Sequence, residues 1–307
     1  MKVLLAGGSG TLGTLATDAL RADCHEVTRL GRGAANDARA DLLDRDAVLR
    51  AVDGHGFDVV VHAATAIGGK SMTRHQDMYP TDELRTTGTV NLLAAARATG
   101  ARRFVAESMM FGYGYGDHGG APVTEDGTPF GPRGRTAPLE RHVGAMRIKE
   151  ELTFTADGIE GIALRFGLFY GGGTTDTHMV PLLRARRLPT VADRGRAQSW
   201  VELADAARAV AASVTGGRAG EAYNVCEDEA VSFGTHLRTI AEAFGTPRPL
   251  TVPAWLLRAA PLAHSMMTTD LRMANAKAAE GLGWRPTYRS SVEGVRALAA
   301  RAGALAA

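Results

Sequence analysis

A glycine-rich turn stands between an apolar strand and a helix at residues 7–13 of the chain. The apolar run KVLLA (2–6) predicts a buried strand, and TLGTLATDALRA (11–22) predicts the helix that follows it. Glycines let the backbone turn tightly and approach a pyrophosphate, while the free amides of the helix start hold the phosphate charge. The turn therefore predicts dinucleotide binding by Gly7, Ser9, Gly10, Thr11, Leu12 and Gly13.

Strand-like and helix-like segments alternate after this turn, which is the pattern of a parallel sheet with crossover helices. The predicted strands cover residues 25–30, 39–44, 57–64, 102–108 and 161–171. The predicted helices cover residues 44–52, about 81–99, and a region around ERHVGAMRIKEEL (140–152). We therefore expect an α/β fold, a Rossmann-type doubly wound parallel sheet with a small C-terminal substrate-binding lobe.

The regular alternation fades after Gly171, and only residues 202–214 and 221–227 again resemble a helix and a strand of the main sheet. We expect a dinucleotide-binding domain at 1–170, completed by 202–230. Residues 171–201 and 231–307, with several prolines after Val231, would then form the smaller substrate-binding lobe.

Composition narrows the possible partners. The net charge is +2 and the 31 arginines and 4 lysines are dispersed, which argues against nucleic acid as a partner. Cys24 and Cys226 stand alone, so neither a disulfide framework nor a metal site is indicated. No apolar run approaches the roughly 18 residues that span a bilayer. We expect a soluble cytoplasmic protein that acts on a small molecule.

The end of the second predicted strand bears on the choice of cofactor. An acidic residue there would bind a ribose 2′-hydroxyl, whereas an arginine would bind a 2′-phosphate. The sequence VTRLGR presents Arg29 and Arg32 with no carboxylate between them, and Asp37 is the nearby acid that could argue for NAD. NADP(H) is the expected cofactor.

Several motifs together resemble the extended branch of the short-chain dehydrogenase/reductase superfamily, which contains the NAD(P)-dependent epimerases and dehydratases. They are GGSGTLG, DVVVHAA, GTVNLLAAARATGARRFVAES, LRFGLFYGGG, YNV and NAKAAEGLGWRP. The resemblance implies that Asp41 and Leu42 contact the adenine and that Ala63 and Ala64 line the cofactor. It also implies a possible homodimer.

Members of that superfamily reduce or oxidise carbonyls with a Ser or Thr, a Tyr, and a Lys four residues after the Tyr. Aligned on the family's usual YG and Glu, the hydroxyl position falls on Met109, with Ser108 before it, and the Tyr and Lys positions fall on His142 and Met146. No YxxxK occurs anywhere in the chain, and a shift by one residue gives Val143 and Arg147. Arg85 stands where the family has an Asn.

A methionine thioether neither donates a proton nor carries charge, so another donor is needed for carbonyl reduction. His142 is the first candidate, because its imidazole titrates near neutral pH. Ser108 and Tyr113 are candidates for orienting a carbonyl, although Tyr113 also resembles a structural residue of the family. His178, Met109 and Met146 are candidate substrate contacts. Alternatively, water or an acidic substrate supplies the proton.

These observations favour an NADPH-dependent ketoreductase of atypical mechanism, acting on a large apolar or aromatic, polyketide-like ketone. A second interpretation is an NADP-binding sensor or regulator that has lost catalysis. A sugar-nucleotide epimerase or dehydratase ranks third, because its reversible oxidation uses the tyrosine that this chain lacks.

Overall fold

The computed structural model of the protein describes residues 1–68 and 72–306, and Lys70, one of the four lysines, lies outside these ranges. Eleven strands are present in the described ranges. They are β1 (Lys2–Ala6), β2 (Glu26–Gly31), β3 (Ala38–Arg39), β4 (Val59–His62), β5 (Arg103–Met109), β6 (Glu160–Phe166), β7 (Leu168–Tyr170), β8 (Thr190–Val191), β9 (Trp200–Glu202), β10 (Glu221–Val225) and β11 (Thr251–Val252).

Eleven α-helices join these strands in the described part of the chain. They are α1 (Thr11–Ala22), α2 (Arg45–Val52), α3 (Tyr79–Glu83), α4 (Thr89–Thr99), α5 (Ala137–Phe154), α6 (Val180–Arg184), α7 (Leu203–Thr215), α8 (Phe233–Ala243), α9 (Pro261–Met267), α10 (Ala276–Leu282) and α11 (Ser291–Ala306). None of them is long and apolar enough to cross a membrane.

Seven strands form one parallel sheet in the order β10-β6-β5-β4-β1-β2-β3. The strand order reverses between β1 and β4, and a doubly wound sheet binds its ligand outside the carboxyl ends of the strands at such a reversal. The predicted α/β fold with a Rossmann-type doubly wound sheet is confirmed. The glycine turn after β1 lies at this reversal.

Helices cover both faces of the sheet. Leu12, Ala16 and Leu20 of α1 pack with α7 against one face, on side chains such as Val105 and Ile162. Helices α2 and α4 cover the opposite face, in a second core cluster that also holds strand residues such as Phe104. A sheet buried on both faces explains why its strands are apolar throughout rather than alternating.

Three predicted elements differ from the structure. The strand expected at 39–44 is confined to residues 38–39, because the Asp41 side chain accepts a bond from the Leu43 amide and starts a turn. The strand expected at 161–171 divides at Gly167, where a Cβ would lie 2.7 Å from the Ser199 carbonyl oxygen. Beyond it, β7 leaves the main sheet and pairs with β9.

The helix expected at about 81–99 is interrupted. Helix α3 ends at Glu83, a π-helical turn spans Leu84–Gly88, and α4 begins at Thr89. A π turn inside a helix rotates the side chains that follow it and is often found at functional sites. This turn carries Arg85.

The C-terminal segments cover the remaining core. Helices α8 and α11 pack together over a third cluster of buried side chains, which includes Trp200, Leu237, Leu271 and Val295. The same cluster holds Met110, Phe111 and Met146, from the end of β5 and from α5. The apolar neighbours of the candidate site therefore come from both halves of the sequence.

Candidate functional site

The glycine turn packs against the end of β4 with no room for side chains. A Cβ on Gly7, whose φ is +86°, would lie 2.7 Å from the Ala64 Cα and 2.8 Å from the Ala63 carbonyl oxygen. A Cβ on Gly13 would lie 2.1 Å from the Gly7 carbonyl oxygen. The turn therefore needs glycine at these positions, and it brings the predicted cofactor residues Ala63 and Ala64 against it.

The start of α1 is suited to an anion. Its N-cap is Gly10, which has no side chain to bond the first-turn amides, and Ser9, Gly10 and Thr11 are exposed. Uncapped amides at a helix N-terminus bind phosphate groups. Leu12 is buried and anchors the helix in the core. The loop after β7 approaches the same place, since a Cβ on Gly173 would lie 3.3 Å from Thr11 Cγ2.

Arg29 and Arg32 have different environments. The Arg29 guanidinium donates to both carboxylate oxygens of Asp37 at 2.9 and 2.8 Å, and this pairing lowers the pKa of Asp37 to about 2. Its stem lies on the turn, because a Cβ on Gly8 would meet Arg29 Cβ at 2.6 Å. Arg32 is exposed, and the described residues supply no ion-pair partner for it. Of the two arginines, Arg32 is therefore the one whose charge is not already paired in the described part of the chain.

Asp41 and Leu42 lie in the turn between β3 and α2. Leu42 is 4% exposed and belongs to the core, and its carbonyl accepts a bond from Asn91 at 2.8 Å. Asp41 is partly buried and bonds the Leu43 amide. Asp41 thus retains one carboxylate oxygen for a ligand, whereas the Leu42 side chain is committed to packing.

A buried polar network fixes the register of α5. Arg165 of β6 donates to the Glu150 carboxylate at 2.7–3.2 Å and to the Tyr113 hydroxyl at 2.8 Å. The Tyr113 hydroxyl donates in turn to Asn224 Oδ1 at 2.8 Å, and burial raises its pKa. Since both roles of this hydroxyl are filled, Tyr113 supports the fold instead of orienting a carbonyl.

The positions that would hold a hydroxyl and an ammonium are apolar. Met146 is 1% exposed and packs in the core, and Met109 is partly buried at the end of β5. Ser108 is fully buried, and its Oγ has no hydrogen-bond partner among the residues described. Of the two predicted catalytic hydroxyls, that of Tyr113 is fully bonded and that of Ser108 is without a partner in the described residues.

His142 is fully buried and bonded at both ring nitrogens. Its Nδ1 lies 2.7 Å from Asp82 Oδ2, and its Nε2 lies 3.1 Å from His75 Nδ1. Asp82 is 3% exposed, whereas His75 is partly exposed. The candidate proton donor therefore reaches its surroundings through another histidine, and neither of its nitrogens is free.

Two further buried cations lie nearby. Arg85 is 2% exposed, its Nη1 lies 3.6 Å from Asp82 Oδ1, and its Nε and Nη1 lack hydrogen-bond partners within the described ranges. Lys149 is fully buried and donates to Glu107 and to the His62 carbonyl, each at 3.2 Å. Burial lowers the pKa of Lys149 to about 8. Arg85 retains bonding capacity, whereas Lys149 binds the sheet.

His178 lies exposed in a π-helical turn, Thr175–Met179, after β7. Sequence reasoning did not find His75 and Asp82. They stand 67 and 60 residues from His142, and no local pattern links them to it. The one available signal was the density of polar residues in RHQDMYPTDELR (74–85), just before the GT motif.

Comparison with known proteins agrees with this architecture. Residues 3–226 match the family model described as the NAD dependent epimerase/dehydratase family. A 3-diazoavenalumate denitrifying reductase from Streptomyces sp. is 34% identical, covering 96% of this chain and 99% of that protein. A 2-alkyl-3-oxoalkanoate reductase from Stenotrophomonas maltophilia is 29% identical over 81% of this chain and 77% of that protein.

The fold is also similar to that of a solved structure. UDP-glucose 4-epimerase from Thermotoga maritima, determined with UDP-glucose, has a TM-score of 0.79 and 19% identity, covering 100% of both chains. At this identity the likeness shows the fold alone.

Proposed function

The chain belongs to the NAD dependent epimerase/dehydratase family and is an oxidoreductase, and we propose that it is an NADPH-dependent reductase of a large apolar or aromatic ketone that works without a tyrosine–lysine pair. One observation carries the proposal: His142, which the sequence prediction aligned with the family's tyrosine, is buried and bonded to Asp82 at 2.7 Å. An imidazole that is hydrogen-bonded to a carboxylate can hold a proton and pass it to a neighbour.

The replaced residues decide which chemistry remains. When bound, the nicotinamide supplies the hydride. Reversible oxidation of a sugar needs a base that removes a hydroxyl proton, and Met109 and Met146 leave no phenolate–ammonium pair to act as that base. Reduction of a ketone needs a proton donor only, and His142 can serve that role through His75, which is bonded to its Nε2. Met109, which is partly buried at the end of β5 and packs against the apolar cluster that contains Met146, suits an apolar or aromatic substrate.

Arg85 supports a substrate that carries a negative group. Its guanidinium is 2% exposed, with two nitrogens that lack hydrogen-bond partners in the described residues. A buried donor without a hydrogen-bond partner is costly, and a negatively charged substrate oxygen would satisfy one of these donors. The two reductases that resemble this chain are named for organic acid anions, an avenalumate and an oxoalkanoate. We take a ketone-bearing organic acid as the substrate class.

The test is NADPH turnover. We expect NADPH oxidation with aryl ketones and 3-oxo acids, with deuterium from C4-labelled NADPH retained at the carbinol carbon. Arg85→Gln is expected to raise KM for an acid more than for its methyl ester. Arg74→Gln, which changes an exposed arginine before α3, serves as the matched control. If NADPH binds and no carbonyl compound of either kind is reduced, the proposal is wrong.

A second candidate is reductive removal of a diazo group, which the 34% identical relative favours. Hydride added to the carbon of an arene diazonium gives the arene, N2 and NADP+, so the reaction balances without any proton donor. It therefore suits a site without tyrosine. N2 release from a diazotised aromatic acid, undiminished in His142→Gln, would favour this candidate over ketone reduction.

A further inference from the structure

Three side chains form a hydrogen-bonded chain from the buried site toward the surface. Asp82 and His142 are 3% and 0% exposed, and His75, the third member, is partly exposed. We propose that Asp82, His142 and His75 form a proton relay in which the two imidazoles share one proton and His75 carries it between the site and solvent. The inference rests on the proposed ketone reduction, for which it identifies the path of the proton.

The carboxylate fixes the protonation pattern of both rings. A carboxylate accepts hydrogen bonds, so His142 Nδ1, 2.7 Å from Asp82 Oδ2, carries a hydrogen. In the neutral ring His142 Nε2 then lacks one and accepts from His75 Nδ1, 3.1 Å away. His75 Nε2 is left with a lone pair. Both neutral imidazoles are therefore Nδ1–H tautomers.

The geometry between the rings is that of a direct hydrogen bond. Their planes differ by 29°, and their centroids lie 5.3 Å apart. The centroid separation is larger than the 3.1 Å between the two bonded nitrogens. The difference is about twice the distance from the centre of an imidazole ring to one of its nitrogens. The nitrogen–nitrogen line thus passes nearly through both centroids, and the rings meet edge to edge rather than face to face.

One added proton reverses the direction of the hydrogen bond between His75 and His142. A proton bound at His75 Nε2 makes that ring a double donor, and transfer across the 3.1 Å bond moves the charge to His142, next to the carboxylate. A second proton would place two cations in contact. The pKa of His75 is accordingly lowered, by burial and by the charge of His142. The pair therefore takes up protons singly.

Neighbouring charges act mainly on the carboxylate end. Arg85 Nη1 lies 3.6 Å from Asp82 Oδ1 and Arg141 Nε lies 3.8 Å from Asp82 Oδ2. Arg141 also pairs with Glu83 at 3.4 Å and stacks on the Tyr79 ring, which lies 6.0 Å from His142. The Tyr115 side chain, from the loop after β5, is near enough to Arg85 and Asp82 to feel both charges.

The relay completes a balanced reaction. Hydride adds to the ketone carbon, and the carbonyl oxygen takes the proton of His75 Nε2. The proton on His142 Nε2 returns to His75 Nδ1 across the 3.1 Å bond, so both rings are left neutral. Water then returns one proton to His75 Nε2. NADPH, ketone and one proton give alcohol and NADP+. His75 is the proton donor in this scheme, and His142 and Asp82 are positioning residues.

The first test does not depend on activity. Nitrogen-15 histidine NMR of the whole protein should show His75 and His142 as Nδ1–H tautomers at high pH, and a single proton taken up by the pair as the pH falls. Asp82→Asn, whose amide can donate to Nδ1, should abolish the Nδ1–H form of His142. An Nε2–H tautomer at either histidine in the wild-type protein would overturn the relay.

The second test separates proton transfer from hydride transfer. His75→Gln should lower kcat for an unactivated aryl ketone about 100-fold, the scale of general acid catalysis, and remove the ionisation from the kcat–pH profile. A trifluoromethyl ketone, whose alkoxide is a weaker base, should lose less than about tenfold. His55→Gln, an exposed histidine, is the matched control and should match the wild type.

The outcomes distinguish the two proposals. If the tautomers are as stated and His75→Gln retains both its kcat and its pH profile, the relay does not serve catalysis and the inference fails. If the tautomers are as stated and the wild type reduces no ketone, the proposed function fails while the shared proton remains.

Discussion

Replacing Arg32 should weaken NADPH binding selectively, because Arg29 is already paired. The Arg29 guanidinium makes two bonds to Asp37 at 2.8 and 2.9 Å, so its charge is locally neutralised. Arg32 is exposed in the loop that follows β2. A hydrogen bond to a charged group contributes about 1.5–3 kcal/mol, and exposure favours the lower end. At about 1.4 kcal/mol for each tenfold change, Arg32→Ala should raise the Kd of NADPH about tenfold.

Arg29→Ala acts differently. It leaves the Asp37 carboxylate unpaired close to where the 2′-phosphate would bind, and like charges repel. NADPH should therefore bind more weakly to Arg29→Ala than to Arg29→Ala/Asp37→Ala, in which the repulsion is removed. The wild type, Arg29→Ala, Asp37→Ala and the double variant form a double-mutant cycle that isolates the Arg29–Asp37 interaction.

Isothermal titration calorimetry at low and high salt measures these affinities. Arg39→Ala, an exposed arginine of β3, is the control for a general loss of positive charge. NADH affinity should be unchanged in Arg32→Ala, because NADH has no 2′-phosphate. The reasoning is refuted if Arg32→Ala leaves the ratio of NADPH to NADH affinity unchanged while Arg29→Ala/Asp37→Ala abolishes it.

Three further predictions concern stability. Glu150→Ala should destabilise the protein by about 3–5 kcal/mol in urea unfolding, because it leaves the buried Arg165 unpaired, whereas Glu229→Ala, which breaks the exposed pair with Arg289, should cost at most about 1 kcal/mol. Gly13→Ala should abolish NADPH binding or folding, since its Cβ would lie 2.1 Å from the Gly7 carbonyl oxygen, whereas Gly56→Ala meets nothing within 4 Å and should be tolerated. Burial raises the pKa of Glu227 to about 8, above its unfolded value of about 4.3. The protonated carboxyl therefore stabilises the fold fully below about pH 4, and this contribution is lost as the pH rises through 8. Glu227→Gln should lack this loss when urea unfolding is compared at pH 5 and pH 8, and equal pH slopes in the two proteins would contradict the assignment.

Local patterns predicted most of the fold. The bounds of β1 and α1 agree with the sequence prediction at every residue, because apolar periodicity and the glycine turn are local signals. The π turn at Leu84–Gly88 and the division of the strand at Gly167 were not predicted, since both depend on neighbours distant in sequence. For Gly167 the neighbour is the backbone of Ser199, which directly precedes β9, the strand that pairs with β7.

The candidate site was predicted in part. The glycines, Ala63 and Ala64 come together as the resemblance implied, because each is placed by its strand end. No local pattern around Arg29 indicated that both Asp37 oxygens would bind its Nε and Nη2. Such pairings decide which arginine keeps an unpaired charge, and they form only when the chain folds.

The sequence by itself predicted a glycine turn between the first strand and the first helix, showed that no YxxxK motif is present, and placed His142 on a helix. These follow from residue identity and short spacing. Only the tertiary structure decided that Asp82 and His75 occupy the two nitrogens of that histidine, and that Arg85 is buried with two nitrogens that lack hydrogen-bond partners among the described residues. The physical reason is that a hydrogen bond depends on distances of about 3 Å between atoms, and residues 60 or more positions apart acquire such distances only when the chain packs.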